Sequence, residues 1–230
     1  MPNPNKYLRP VRSFVRREGR LTAGQARALE ELWPRYGLEP GDDAIDFTLL
    51  FGQDAPVILE IGFGNGESLA TIAETHPKNR YIGIEVHRPG VGSLLLRLEE
   101  RGIGNVRVVS QDASEILQKN IADASLASVY LFFPDPWPKK KHHKRRLLQP
   151  GFAQLIRRKL TIGGIFHMAT DWQDYAEHMM TVMSEAEGFT NEAGQGNYSN
   201  RPAYRPETKF ERRGLNRGHG VWDLVFRREH

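Results

Sequence analysis

The sequence predicts an α/β domain built on a doubly wound, mostly parallel sheet, with antiparallel strands near its C-terminal end. Three observations predict it. Short runs rich in Val and Ile alternate with helical patterns from residue 57 onward. Residues 57–66, V-I-L-E-I-G-F-G-N-G, read as a buried strand running into a glycine turn. Each of the first five predicted strands also ends near an acid, at the edge where open α/β sheets bind their ligands.

Taken in order, residues 1–20 are polar and rich in Pro and Arg, a segment expected to be mobile ahead of a domain over 21–230. Thr22 and Gln25 have capping-box spacing, which predicts a helix to about Leu32, closed near Pro34, with Ala26, Leu29 and Trp33 as its apolar stripe. Residues 40–55 are acidic and read as an irregular lead-in. A strand over 57–61 and a helix over 68–76 follow, then a strand over 81–86. Pro89 starts a helix in which Val91, Leu94, Leu95 and Leu98 share one face, and Gly102 stops it. A third strand, 106–110, precedes a short helix, 114–119, and a fourth strand covers 128–132. The loop 133–146 breaks the alternation with three prolines. Residues 152–160 are helical, Gly163 and Gly164 lead into a strand over 165–169, and Asp171 is placed to cap a helix reaching about Ala186. A short strand over 189–192, a Gly/Asn/Pro-rich loop to 206, one or two helical turns over 207–213 and a final strand over 221–227 complete the pattern.

The glycine turn carries Gly62, Gly64 and Gly66. Glycine lets a ligand approach the backbone, and the following helix offers unpaired N–H groups. A dinucleotide site wants G-x-G-x-x-G, and that spacing puts Glu67 at the third glycine. The pattern present is E-x-G-x-G-x-G, with Glu60 inside the strand end. A carboxylate there repels a pyrophosphate but suits the cationic amino-acid end of S-adenosylmethionine.

The acids at the strand ends fit the same ligand. Glu85 is placed to take two ribose hydroxyls and Asp112 to accept from an adenine amino group; Asp135 and Asp171 follow the next two strands. Any single Asp can equally be a helix cap, Asp171 above all, but five acids at five strand ends in order point to a site. The loop L-F-F-P-D-P-W-P-K-K-K-H-H-K-R-R combines two roles. Prolines on both sides stiffen Asp135, and Trp137 offers either a face for a base or core packing. Lys139, Lys140, Lys141, Lys144, Arg145 and Arg146 suit a phosphate backbone. His142 and His143, adjacent and among lysines, make poor metal ligands and read as surface facing the same polyanion.

The net charge of +4 hides a segregation. Residues 1–20 hold six Lys/Arg against one acid, 134–146 six against one, and 199–230 eight against four, so these segments sum to +14 and leave −10 on the rest. A basic surface beside an acidic body fits nucleic acid, against the plainer reading of solvated charge. With no Cys, the sequence offers no disulfide framework, thiolate metal site or cysteine nucleophile. It shows no secretory h-region and no run of the ~20 apolar residues that span a membrane, and a cytoplasmic protein is expected.

These stretches together resemble the bacterial tRNA (guanine-N7)-methyltransferase family. The resemblance runs from L-E-I-G-F-G-N-G through Y-I-G-I-E-V-H, S-Q-D-A, F-F-P-D-P-W-P-K-K-K-H-H-K-R-R and H-M-A-T-D-W to R-P-x-T-K-F-E and H-G-V-W-D-L. It implies a Rossmann-like class I methyltransferase fold. It also implies methyl transfer from S-adenosylmethionine to N7 of guanosine 46 in the tRNA variable loop, with no metal. By motif match, Glu60, Glu85, Asp112 and Asp135 would contact the donor beside Gly62 and Gly64. Lys139, Asp171, Thr208, Lys209, Phe210 and Glu211 would hold the substrate, and 141–146 would touch RNA, with Asp135 as the catalytic carboxylate. The alternatives are a methyltransferase for another RNA or a protein, a nicotinamide oxidoreductase, and an RNA-binding protein without activity. Monomer and homodimer are equally compatible with the sequence.

Overall fold

The computed structural model describes residues 19–207, 211 and 220–230; the expectations for residues 1–18, for Thr208, Lys209 and Phe210, and for most of the turn at 207–213 lie outside them. Helix α1 (Ala23–Glu31) opens on the capping box that Thr22 and Gln25 predict. The Thr22 N–H donates to Gln25 Oε1 at 2.9 Å and the Gln25 N–H to Thr22 Oγ1 at 3.2 Å. Pro34 does not close this helix: it lies in the first turn of a second one, α2 (Trp33–Tyr36), where its missing N–H costs nothing. The lead-in at 40–55 is not wholly irregular either. It holds α3 (Phe47–Phe51), capped by Asp46, whose Oδ1 accepts from Leu49 N–H at 2.9 Å.

The alternating units then follow as β1 (Val57–Ile61), α4 (Glu67–Thr75), β2 (Arg80–Ile84), α5 (Arg88–Glu100), β3 (Val106–Val109), α6 (Ala113–Lys119) and β4 (Leu126–Phe132). A short 3-10 helix (Lys140–Arg145) lies inside the loop after β4, where the prolines signal only irregular chain. Next come α7 (Pro150–Lys159), β5 (Leu160–Thr170), α8 (Gln173–Ser184), β6 (Phe189–Asn191) and β7 (Trp222–Arg228). Gly163 and Gly164 do not precede the fifth strand; they lie within it. The pairing with β4 shifts from Leu126↔Leu160 to Ser128↔Ile165, and a Cβ on Gly164 would sit 2.9 Å from Thr161 O. The glycines make a bulge that lets one long strand bend.

The sheet order is β3-β2-β1-β4-β5-β7-β6. Strands β1 to β5 pair in parallel, and β7 runs antiparallel to both β5 and β6. The chain winds outward from β1 to β3 and returns to the other side of β1 at β4. That reversal opens a crevice at the carboxyl ends of β1 and β4. One apolar layer packs α1, α2, α4 and α5 against the sheet, through Ala28, Tyr36, Leu69 and Leu94. The opposite layer packs α6, α7 and α8, through Ile116, Ile156 and Met179. Every residue of β1 and β2 is buried, as a strand covered on both faces requires. Among the described residues no helix is long and apolar enough to cross a membrane.

Candidate active site

A cleft of about 290 Å³ occupies the crevice, lined by Gly62, Gly64, Glu85, Asp112, Pro134 and Asp135, with Ile61, Ile84, Val86, Leu131 and Leu147 as apolar wall. The three glycines of the turn do two different jobs. Gly62 (φ +71°) and Gly64 (φ +59°) have nothing within 4 Å of where a Cβ would stand, so the backbone there lies open to a ligand. At Gly66 (φ +75°) a Cβ would meet Leu94 at 2.6 Å, so this glycine lets α4 start close against α5.

Glu85 is pinned by the backbone. One carboxylate oxygen accepts from Gly64 N–H at 2.9 Å, and the other from Val86 N–H at 2.7 Å and His87 N–H at 2.9 Å. A carboxylate has about four acceptor directions, so in this arrangement roughly one remains for a ribose hydroxyl, not the two anticipated. Asp112 does double duty: Oδ1 caps α6 through Ser114 N–H at 2.8 Å, while the side chain faces the cleft. Glu60 does not line the cleft. It is 2% exposed, and among the described residues its Oε2 has no hydrogen-bond partner. Burial, reinforced by the Glu85 charge, pushes its carboxyl up to about 8.

Asp135 is exposed at the cleft rim, between Pro134 and Pro136. The loop that presents it is strained: Phe133 (φ +51°) and Trp137 (φ +47°) both adopt left-handed backbone, which bulky residues rarely do. Trp137 is half-buried, with the Arg145 guanidinium 4.5 Å from its ring centre and His142 edge-on at 5.8 Å. One face therefore carries an arginine, so a base has at most the other. Lys139, Lys140, Lys141 and Lys144 are exposed on and beside the 3-10 helix, and Arg145 is half-buried. The His142 ring is held below its ordinary value by desolvation and then by Lys141 and Arg145.

Arg146 corrects the reading of a uniformly solvent-facing basic run. Its side chain is 1% exposed. The Nε donates to Pro136 O at 2.9 Å, a terminal nitrogen bonds Asp174, and the guanidinium lies 4.9 Å from the Tyr175 ring centre. It ties the Asp135 loop to α8. His143 shares this contact, with Nε2 at 3.7 Å from Asp174. Asp171 corrects a second expectation. Trp172 occupies the cap position of α8 without a side-chain cap bond, and Trp172 N–H donates to Thr170 Oγ1 at 3.2 Å. Asp171 is exposed in a separate depression with Asp174, Glu177 and Trp222. Glu211, placed with the substrate by resemblance, is 4% exposed, and Arg205 donates to both of its oxygens at 2.8 and 2.9 Å. Arg205 carries the most buried charge in this region, and sequence reasoning gave it no role although it opens the R-P-x-T-K-F-E motif.

The residues present fit S-adenosylmethionine. The open backbone at Gly62 and Gly64, the Glu85 and Asp112 acceptors and the apolar wall match a nucleoside. The unpartnered Glu60 oxygen behind the turn matches a cationic amino-acid end. A second groove of about 490 Å³ shares Asp112 and Leu147 with the cleft and is lined by Lys144, Arg145 and Arg158. Among the described residues no group of three or more His, Asp or Glu side chains could hold a metal.

Comparison with known proteins agrees. A family profile described as "Putative methyltransferase" matches residues 54–224. The tRNA (guanine-N(7)-)-methyltransferase of Alcanivorax borkumensis is 60% identical over 225 residues, 98% of this chain and 94% of that protein. The protein of the same name from Aeromonas hydrophila is 58% identical over 97% of this chain and 94% of its own length. Among solved structures, the 16S rRNA methyltransferase KamB superposes with a TM-score of 0.59 at 15% identity, covering 85% of this chain and 99% of that one. An rRNA methylase from Streptococcus thermophilus gives 0.51 at 13%, covering 77% and 89%. These two likenesses show the Rossmann-like methyltransferase fold. The identity over nearly the whole chain shows more: this protein belongs to the tRNA (guanine-N(7)-)-methyltransferase family.

Proposed function

We propose that the chain transfers a methyl group from S-adenosylmethionine to N7 of the guanosine at position 46 in the tRNA variable loop, and does so in the cytoplasm. The observation that carries this reading is the cleft at the sheet reversal with Asp135 on its rim and the basic 3-10 helix directly after it. The donor supplies an electrophilic methyl on a sulfonium. Guanine N7 has a lone pair and no proton to lose, so its attack needs no general base. The lone pair makes the new N–C bond, the C–S bond breaks with its electrons going to sulfur, and positive charge passes to the guanine ring. The protein's work is therefore alignment, plus a negative charge near the ring as the cation develops. Asp135 supplies that charge, and its exposure in the free protein ends when a docked base excludes water. Glu85 and Asp112 orient the donor's ribose and base. Lys139, exposed just before the 3-10 helix, and Asp171, exposed in its separate depression beside α8, are further substrate contacts.

Mapping the methylated positions of bulk tRNA treated with pure protein tests the reading. The expected product is N7-methylguanosine confined to the variable loop. Methylation at another atom, another loop or another RNA would overturn it.

The exposed lysines Lys140, Lys141 and Lys144 grip phosphate, because they face solvent while Arg145 lies on Trp137 and Arg146 is buried. Replacing all three with Gln is expected to weaken tRNA binding broadly. The slope of log affinity against log salt should fall by roughly 0.7 per lost contact if the bound strand is single-stranded. Donor affinity should not change. Parallel salt plots for wild type and variant would contradict the assignment.

A further inference from the structure

The inference concerns a group of buried charges on the far side of Phe133. Arg205 is 2% exposed and makes four charge-assisted hydrogen bonds. Two go to Glu211, at 2.8 and 2.9 Å, and two to Asp223 on β7, both at 2.7 Å. Asp223 Oδ1 also lies 2.7 Å from His167 Nε2, and His167 Nδ1 lies 2.7 Å from the Tyr204 hydroxyl. Burial holds His167 below its ordinary value, against the pull of Asp223. The neutral ring then donates Nε2–H to Asp223 and accepts the Tyr204 O–H at Nδ1. Each member is thus paired, across β5, β7 and the segment between β6 and β7.

A buried ion cluster adds little net stability compared with apolar residues of similar volume. Its presence asks for another reason, and its neighbours supply one. The Arg205 guanidinium carbon lies 5.9 Å from the Phe132 ring centre and 5.6 Å from that of Phe133. His167 packs edge-on against Phe132 at 4.8 Å, and Tyr204 stacks on Tyr130 at 5.5 Å. Phe133 lines the cleft, holds a left-handed backbone and is two residues before Asp135. A strained conformation persists only where its surroundings fix it. Phe133 N–H donates to Ala169 O at 2.8 Å, and Arg205 braces the ring.

We infer that Arg205 is a positioning residue for the transfer step: clamped by Glu211 and Asp223, it fixes Phe133 and through it the Asp135 carboxylate. Glu211 then acts by holding Arg205 and does not read the guanine. The inference rests on the proposed N7 transfer.

Arg205→Lys keeps the charge and loses the planar fork that serves two carboxylates at once. Its kcat, per donor-binding site, should fall by about 10- to 100-fold. KM for tRNA and donor affinity should hold near wild type. Glu211→Gln keeps the shape and one acceptor, and should show the same split; it carries the test alone if the lysine variant fails to bind donor. The decisive readout is a tRNA with inosine at the target, which lacks the guanine 2-amino group. If Glu211 acts through Arg205, both variants keep the wild-type ratio of guanosine to inosine rates. A wild-type kcat in Glu211→Gln, or a changed ratio in Glu211→Gln alone, would overturn the inference. Failure of wild-type protein to methylate guanosine in the same assay would instead reject the proposed function.

Discussion

Asp135→Ala is expected to lower the methyl-transfer rate by about 100- to 1,000-fold, the scale seen when one preorganised charge-stabilising group is removed from a site. Binding of tRNA should change little, because the carboxylate acts as charge builds on the ring and not before. Among the described residues no hydrogen bond or ion pair of the Asp135 side chain stands against this: it is exposed between two prolines on a loop fixed by Arg146 and Ala169. Asp135→Asn separates charge from shape. It keeps one acceptor oxygen and the side-chain volume, so an electrostatic role predicts a loss nearly as large as with alanine. Single-turnover rates with saturating donor and tRNA isolate the chemical step. Full activity in Asp135→Asn would reduce the carboxylate to a hydrogen-bond acceptor.

The second large effect is on stability. Glu60 is buried with one oxygen unpaired, and its carboxyl is raised from 4.5 to about 8. Between those values the unfolded chain gives up this proton and the folded protein keeps it. Stability from this residue therefore declines as pH rises from about 4.5, and the decline ends near pH 8, where the folded form ionises as well. The whole span corresponds to at most about 5 kcal/mol. Glu60→Gln removes the titration, so the variant should be more stable than wild type at pH 8 and nearly equal to it at pH 4.5. Denaturant unfolding across that range measures the difference. Parallel pH profiles would show that Glu60 is charged in the folded protein. Donor binding gives a companion readout: a cation arriving near Glu60 favours the carboxylate, so below pH 8 binding should release a proton. Calorimetry in buffers of different ionisation enthalpy detects that release, and it should vanish in Glu60→Gln.

Local chemistry made much of the fold readable. The capping box at Thr22, the glycine turn after β1 and the apolar face of α5 are each set by residues within a few positions of one another. The same holds for the cleft, because acids at strand ends converge wherever parallel strands end together. Misreadings arose where a distant partner decides. Arg146 looks like its neighbours in the basic run, and only Asp174, 28 residues on, shows that it is buried. Asp171 has the composition of a cap, yet the chain reaches α8 through Thr170 and Trp172. Gly163 and Gly164 read as a break because sequence cannot show that β4 pairs with the strand on both sides of the bulge, at Leu160 and again from Ile165. The α3 signal, Asp46 before an apolar run, is local, but the acidic stretch around it masks it.

The position of β7 bears on how the chain is made. In sequence it is the last strand, but in the sheet it lies between β5 and β6. Among the described strands β6 has no other partner, and β5 has β7 along its second edge. During vectorial synthesis β1 to β5 can assemble as they emerge, while β5 waits with an open edge and β6 with none of its pairing made. An unpaired edge is a template for association with other chains, so the nascent protein is most exposed to aggregation just before residues 222–228 leave the ribosome. Arg205 must wait for the same strand, because Asp223 supplies half of its clamp. Sheet closure and completion of the Arg205 clamp therefore fall together, and a ribosome-bound chain lacking that strand has the Arg146 and Ala169 ties of the Asp135 loop but only the Glu211 half of the clamp.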